Sequence, residues 1–206
     1  MASETPEKID LFKLHKDDYR ASGTPELVFV GTANYLVVRG HGEPGGECFE
    51  SRVQALYGMA YTLKFTGKAA GHDFVVGKLE GLYGVDGQSI DDLARLAPQR
   101  WNWRLMIRVP DRIRPQHVTE ARRTLDEKGK AGDFDAVTLE SIDEGRCVQM
   151  LHVGPYEQES RTVAAMRELA RRNGLAAHTW HHEIYLSDPR RVPAAKLRTI
   201  LREPVR

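Results

Sequence analysis

An α+β fold made of two similar halves is what this 206-residue sequence predicts, on three observations. The order strand, Gly/Pro turn, amphipathic helix, strand, strand is written twice along the chain, and an internal repeat bears on the whole topology. The strand patterns alternate apolar and polar side chains, as in antiparallel sheets with one packed face. A hydrophobic content of 41% beside 29% charged residues is that of a globular domain with a core. Two strand-helix-strand-strand modules side by side give an antiparallel-rich sheet with helices on one side and a ligand cleft on the other.

Residues 1–26 are polar except for Ile9, Leu11, Phe12 and Leu14, and read as an arm that packs over the domain through that apolar island. The domain follows at 27–206, with modules of about 27–112 and 113–206. Tyr35–Arg39 is a strand, closed by the Gly/Pro-dense stretch Gly40–Gly46. Phe49, Val53, Leu56, Ala60 and Leu63 recur at helical spacing and predict a helix over about 47–65. Strands are predicted at Phe74–Tyr83 and Trp101–Val109, with a short polar helix around Ser89–Leu96 between them. Pro115 opens a helix with Val118, Ala121 and Leu125 on one face, ending at Gly129. Strand residues return at Val137–Leu139 and Cys147–Val153; Gly154-Pro155 turns the chain into a helix from about Glu157 to Arg172, stopped by Asn173-Gly174. A strand at 179–187 and a short helix and strand at 193–205 complete the second half.

The balance of 30 basic and 29 acidic residues leaves a net charge of +1, so no global field favours nucleic acid. The pairs Arg122-Arg123, Arg171-Arg172 and Arg190-Arg191 lie near helix ends or turns, where cations face the helix dipole or solvent. Cys48, on the helix of Phe49, Val53 and Leu56, and Cys147, at the start of an apolar strand, make no disulfide framework and read as buried, inert thiols in a reduced compartment. Neither a signal peptide nor a transmembrane stretch is legible, so the expectation is a cytoplasmic protein with no membrane partner.

The chemistry concentrates in Trp180–Pro189. On a strand, Trp180, His182, Ile184 and Leu186 share one face, which looks ready to pack on a helix. Thr179, His181, Glu183 and Tyr185 share the other, placing a carboxylate between an imidazole and a phenol. The strand alone fits a solvated face better than a buried one, since charged groups are seldom buried without a partner. His181 and His182 point apart, and His178 and His181 would chelate only on a helix, so the sequence predicts no metal site and no cofactor. No Walker loop, dinucleotide fingerprint or Gly-x-Ser-x-Gly elbow is present.

Six segments in order, NYLVVRGHGEPGG, ALYGMAYTLKF, LEGLY, WNWRLMIRVPD, HVGPYEQE and HHEIYLSDPRRVPAAKLRTILREPV, span 34–205. Together they resemble the GyrI-like small-molecule-binding family, which is built of two strand-helix-strand-strand (SHS2) modules. In that family the domain is found fused to DNA-binding heads in multidrug-responsive regulators. With no helix-turn-helix-sized segment ahead of it, this chain resembles the stand-alone branch. The resemblance implies binding of lipophilic, cationic or aromatic compounds for protection against toxic molecules. Some members of the branch are cyclopropanoid cyclopropyl hydrolases, which open the three-membered ring of DNA-alkylating natural products.

The resemblance places the pocket carboxylate at Glu183, with Tyr185 on its face. It adds Tyr156 and Glu157 in the Gly-Pro-Tyr turn, Glu80 and Tyr83 in Leu-Glu-Gly-Leu-Tyr, and Trp101 and Trp103 in Trp101-Asn102-Trp103. Relatives tend to carry Trp-Trp where this chain has Tyr83-Gly84, which thins one aromatic wall. A buried carboxylate among aromatic rings suits a flat cation, each ring adding about 0.5–2 kcal/mol of cation–π attraction. The same groups suit hydrolysis, with Glu183 as general base and Tyr185 hydrogen-bonding the carbonyl that gains charge. Other readings stand beside these: core packing for Trp101 and Trp103, a first-turn acid for Glu157, and a surface ion pair with Lys78 for Glu80. A third function class, a module that binds a topoisomerase as some GyrI-like proteins are thought to do, predicts an exposed Glu183 face without aromatic enclosure. The expected partner is a small molecule, with no nucleic acid, and the protein is a monomer or homodimer.

Overall fold

The computed structural model describes residues 8–85, 96–178 and 180–206. Among them the chain forms α1 (Leu11–Leu14), β1 (Glu26–Val30), β2 (Ala33–His41), α2 (Glu47–Ala69), β3 (Glu80–Gly84), β4 (Asn102–Arg108), α3 (Pro115–Glu127), β5 (Thr138–Ile142), β6 (Gly145–Val153), α4 (Glu159–Arg172), β7 (His181–Tyr185) and β8 (Arg198–Pro204). The helices start where backbone chemistry favours it. Glu47 and Glu50 sit in the first turn of α2, complementing its positive end. Pro115 opens α3, where a missing N–H costs nothing. No helix among the described residues is long and apolar enough to cross a membrane.

The predicted repeat is realised as β2-α2-β3-β4 and β6-α4-β7-β8. All eight strands join one antiparallel sheet in the order β1-β6-β8-β7-β3-β4-β2-β5. The two modules meet where β7 pairs with β3, with Glu183 opposite Gly81. Each module is extended by a strand from elsewhere: β5 adds to β2, and β1 adds to β6. Only Gly31-Thr32 separates β1 from β2, and only Asp143-Glu144 separates β5 from β6. In a flat sheet, strands six places apart would lie about 29 Å from each other. Two intervening residues span at most about 11 Å. The sheet must therefore curl until its ends approach.

The outer face carries the larger apolar core. There α2 and α3 cover Leu36, Val38, Leu105 and Ile107, while α4 covers Val148 and Leu201 through Met166 and Ala170. The inner face holds a second set, including Tyr35, Val37, Leu82 and Met106. The arm closes over that face, with Tyr19 packed on Ile184 and Ile200.

Four local readings change. Residues 26–30 form β1, where the sequence reading assigns only the end of the arm and no strand before Tyr35. Cys48, read as buried, is exposed on α2, its side of the helix turned from the core, while Cys147 is buried. The strand expected from Phe74 starts at Glu80, because Phe74 is taken by an isolated bridge to Ile9 in the arm. The short helix around Ser89–Leu96 lies outside the described residues except for its last position, as do the first seven residues of the arm and Thr179.

Candidate functional site

Alternation along β7 sends His181, Glu183 and Tyr185 to one face and His182 and Ile184 to the other. The helices settle which is which, and they correct the face reading made from sequence. His182 and Ile184 meet the arm and the inner network. The Glu183 face is the one that α4 covers, as Glu159 and Arg167 of α4 show by reaching Glu183 and Glu203. Burial follows from that cover: Glu183 is 9% exposed and His181 6%.

Around Glu183 the side chains form a chain of contacts. Its Oε2 accepts from the Tyr185 hydroxyl at 2.8 Å, and Tyr185 meets the Tyr83 hydroxyl at 2.6 Å. Gly81 makes this possible: a Cβ there would lie 2.8 Å from the Tyr83 hydroxyl oxygen, so only glycine lets that ring fold across β3. The Tyr156 ring meets Tyr185 edge-on at 5.9 Å, and Trp101 meets Tyr83 edge-on at 6.0 Å. On the other side His181 Nε2 lies 3.7 Å from Glu183 Oε1, and His181 Nδ1 lies 3.2 Å from Glu203 Oε1. Arg167 holds Glu203 through bonds of 3.0 and 2.8 Å.

Glu159 completes the cluster, and sequence reasoning missed it. As the first residue of α4 it reads as an ordinary helix-start acid. The available signal was periodicity: Glu159, Thr162, Met166 and Ala170 form the buried stripe of α4, so the acid lies on the apolar face. Its Oε1 is buried with no hydrogen-bond partner. Burial, the Glu183 charge and the Glu157 charge push its carboxyl up to about 10. The helix dipole returns only about 0.3–1 kcal/mol at such a position, too little to offset that. Burial also raises Glu183, against the opposing pull of His181 and the Tyr185 hydroxyl. The pair therefore holds a proton near neutral pH.

The remaining predicted site residues separate. Trp103 is 1% exposed, lies over Gly40 and against Phe49, and donates its indole N–H to the Gly42 carbonyl at 3.1 Å, which makes it a core residue. Glu157 is exposed at the start of the turn before α4. Glu80 faces the opposite side of the sheet, where it accepts from Tyr19 at 2.9 Å and meets His182 at 3.0 Å. It is 1% exposed, so neither the pocket role nor the surface pair with Lys78 describes it. Two surface hollows lie away from Glu183, one of about 610 Å³ by Asp17, Arg20 and Glu26, the other of about 280 Å³ by Arg39, Trp103 and Trp180. Neither contains an unsatisfied buried group, as the Glu183 cluster does.

Replacing Glu159 with glutamine is expected to stabilise the fold at neutral and higher pH, because glutamine has no proton to take up where the glutamate carboxyl would otherwise have to stay protonated in the folded state. The sign follows from linkage. A carboxyl raised from 4.5 to about 10 contributes fully below pH 4.5 and loses that contribution as pH rises toward 10. The gain should thus be larger near about pH 8 than near about pH 5 in urea unfolding, and an equal gain at both would contradict the assignment.

The comparisons with known proteins agree with this fold. The family model of the GyrI-like small-molecule-binding domain matches residues 127–206. An uncharacterized conserved protein from Listeria innocua is 38% identical, with 97% of this chain and 100% of that chain covered and a TM-score of 0.89. A hydrolase from Listeria innocua is 37% identical, with the same coverage and a TM-score of 0.87. The EcmrR C-terminal domain, at 14% identity, with 89% of this chain and 97% of that chain covered and a TM-score of 0.57, shares the fold alone. No curated protein matches.

Proposed function

Since the chain belongs to the GyrI-like small-molecule-binding domain family, we propose that it binds lipophilic, aromatic or cationic small molecules over Glu183, as a protection against toxic compounds. The observation that supports this reading is the buried pair Glu159 and Glu183, with one Glu159 oxygen unpartnered and Tyr185 bonded to Glu183 and in contact with Tyr83 and Tyr156. A cation bound at that pair gives the carboxylates a counter-charge, and the tyrosine rings add to the attraction. Tyr156, 37% exposed, sets its ring edge-on against Tyr185 at the solvent side of the cluster, where a bound molecule would meet it.

A second reading, hydrolysis of cyclopropane-bearing alkylators, draws on the 37%-identical relative that is called a hydrolase and on the proton-sharing pair. Glu183 takes a proton from water as the water oxygen bonds to the cyclopropane carbon. The breaking C–C bond sends its electron pair to the conjugated carbonyl, whose oxygen receives the proton of neutral Glu159. Base assistance of this kind is worth about 10²–10⁴-fold.

A fluorescence titration and a turnover assay separate the two. Glu183→Gln should weaken binding of a lipophilic cation about tenfold or more, about 1.4 kcal/mol, with little change for a neutral analogue. Equal losses for both would remove the charge argument. Ring-opened, water-added product beyond one equivalent, seen by mass spectrometry and lost in Glu183→Gln, would make the protein an enzyme. Intact substrate would leave binding as the function.

A further inference from the structure

We propose that Glu159, His181 and Glu183 form a three-ligand site for a divalent transition-metal ion of the zinc type. One donor atom from each of the three lies within 4.8 Å of the others. The 3.7 Å between His181 Nε2 and Glu183 Oε1 is close to the donor separation expected around an ion with bonds of about 2.0–2.2 Å. One nitrogen and carboxylate oxygens suit zinc and its first-row neighbours.

The surroundings are those of a ligand set. His181 turns its other nitrogen, Nδ1, to Glu203, and Arg167 fixes Glu203. A histidine that donates one N–H to a carboxylate presents the lone pair of its second nitrogen, the usual outer arrangement of a metal-bound imidazole. Tyr185 takes Oε2 of Glu183 and leaves Oε1 facing His181. The Oε1 of Glu159, a residue 9% exposed, is buried with no partner at all. Charge closes as well. Arg167 balances Glu203, which leaves Glu159 and Glu183 to offer two negative charges to one divalent ion once the ion displaces the proton they share. Three protein ligands keep a fourth position open for water or a bound molecule. The histidine spacings in the sequence missed this site because α4, not a neighbouring position on β7, completes it.

The site shares its floor with the small-molecule reading but does not rest on it. The test is a calorimetric titration of the chelator-treated full chain with zinc chloride, with metal content measured after gel filtration and the absorption of the cobalt(II) form as a report on geometry. One ion per chain is expected. Glu159→Gln and Glu183→Gln should each lower affinity about tenfold or more, and Glu203→Gln about 10–100-fold by releasing the imidazole. The exposed Glu168→Gln on α4 should leave affinity unchanged. No zinc uptake, or uptake untouched by both Glu159→Gln and Glu183→Gln while those variants still melt cooperatively, overturns the proposal. A lipophilic aromatic cation titrated in parallel keeps the two readings apart. Cation binding without zinc binding ends the metal site and leaves the small-molecule reading; zinc binding without cation binding supports the metal site and ends the other.

Discussion

Arg202→Met should destabilise the protein by about 3–5 kcal/mol, the range for removing one partner of a buried ion pair. Arg202 is 1% exposed on the inner face of the sheet. Its guanidinium donates to Glu144 Oε2 at 2.9 Å, to Gln149 Oε1 at 3.0 and 3.1 Å, and to the Asp18 carbonyl. It therefore ties the arm, the β5–β6 link and β6 to β8, and methionine replaces none of those bonds. Glu144 would be left with His182 as its one close cation. The urea midpoint measures the loss. Adding Glu144→Gln to Arg202→Met should restore part of it, with a coupling of about 0.5–3 kcal/mol. A single-variant loss below about 1 kcal/mol would show that the network is incidental to stability.

Alkaline pH should weaken the fold through His182. Burial alone would lower its pKa, but Glu144 at 2.8 Å from Nδ1 and Glu80 at 3.0 Å from Nε2 outweigh burial and hold it at about 9, against 6.5 when unfolded. A raised folded pKa gives stability that is complete below pH 6.5 and lost as pH rises through about 9. At about 1.4 kcal/mol per pKa unit the loss approaches about 3.5 kcal/mol. Glu144 sets the acid limb: burial raises it, but His182 and Arg202 bring it down to about 2, so its contribution holds above pH 4.5 and disappears as pH falls through 2. Glu159 adds to the alkaline decline, so the informative quantity is the difference between wild type and His182→Gln in urea unfolding from about pH 6 to about pH 9.5. Parallel curves for the two proteins would show that His182 does not carry the limb.

Both predictions concern a network that the sequence did not announce. Glu80, Glu144, His182 and Arg202 come from β3, the β5–β6 link, β7 and β8, and no spacing along the chain relates them. The candidate site was more legible. Glu183, Tyr185, Tyr83 and Tyr156 were all expected together, and the structure brings the other three into contact with Tyr185. Trp103 shows the limit of alternation: it does lie on the same face as Tyr83, its partner on β3, yet the glycine at position 40 draws its ring into the core.

By itself the sequence determined the order of elements, the repeat and the two sets of side chains on β7, because these depend on dihedral preferences and on periods of 2 and 3.6 residues that any local segment displays. Tertiary structure alone decided which set the helices would cover, that β1 and β5 would extend the more distant module, and that Glu159 would be buried against Glu183. A period separates two faces but does not say which is inward. That depends on pairings between residues far apart in the chain, whose free energy comes from the surface they bury together.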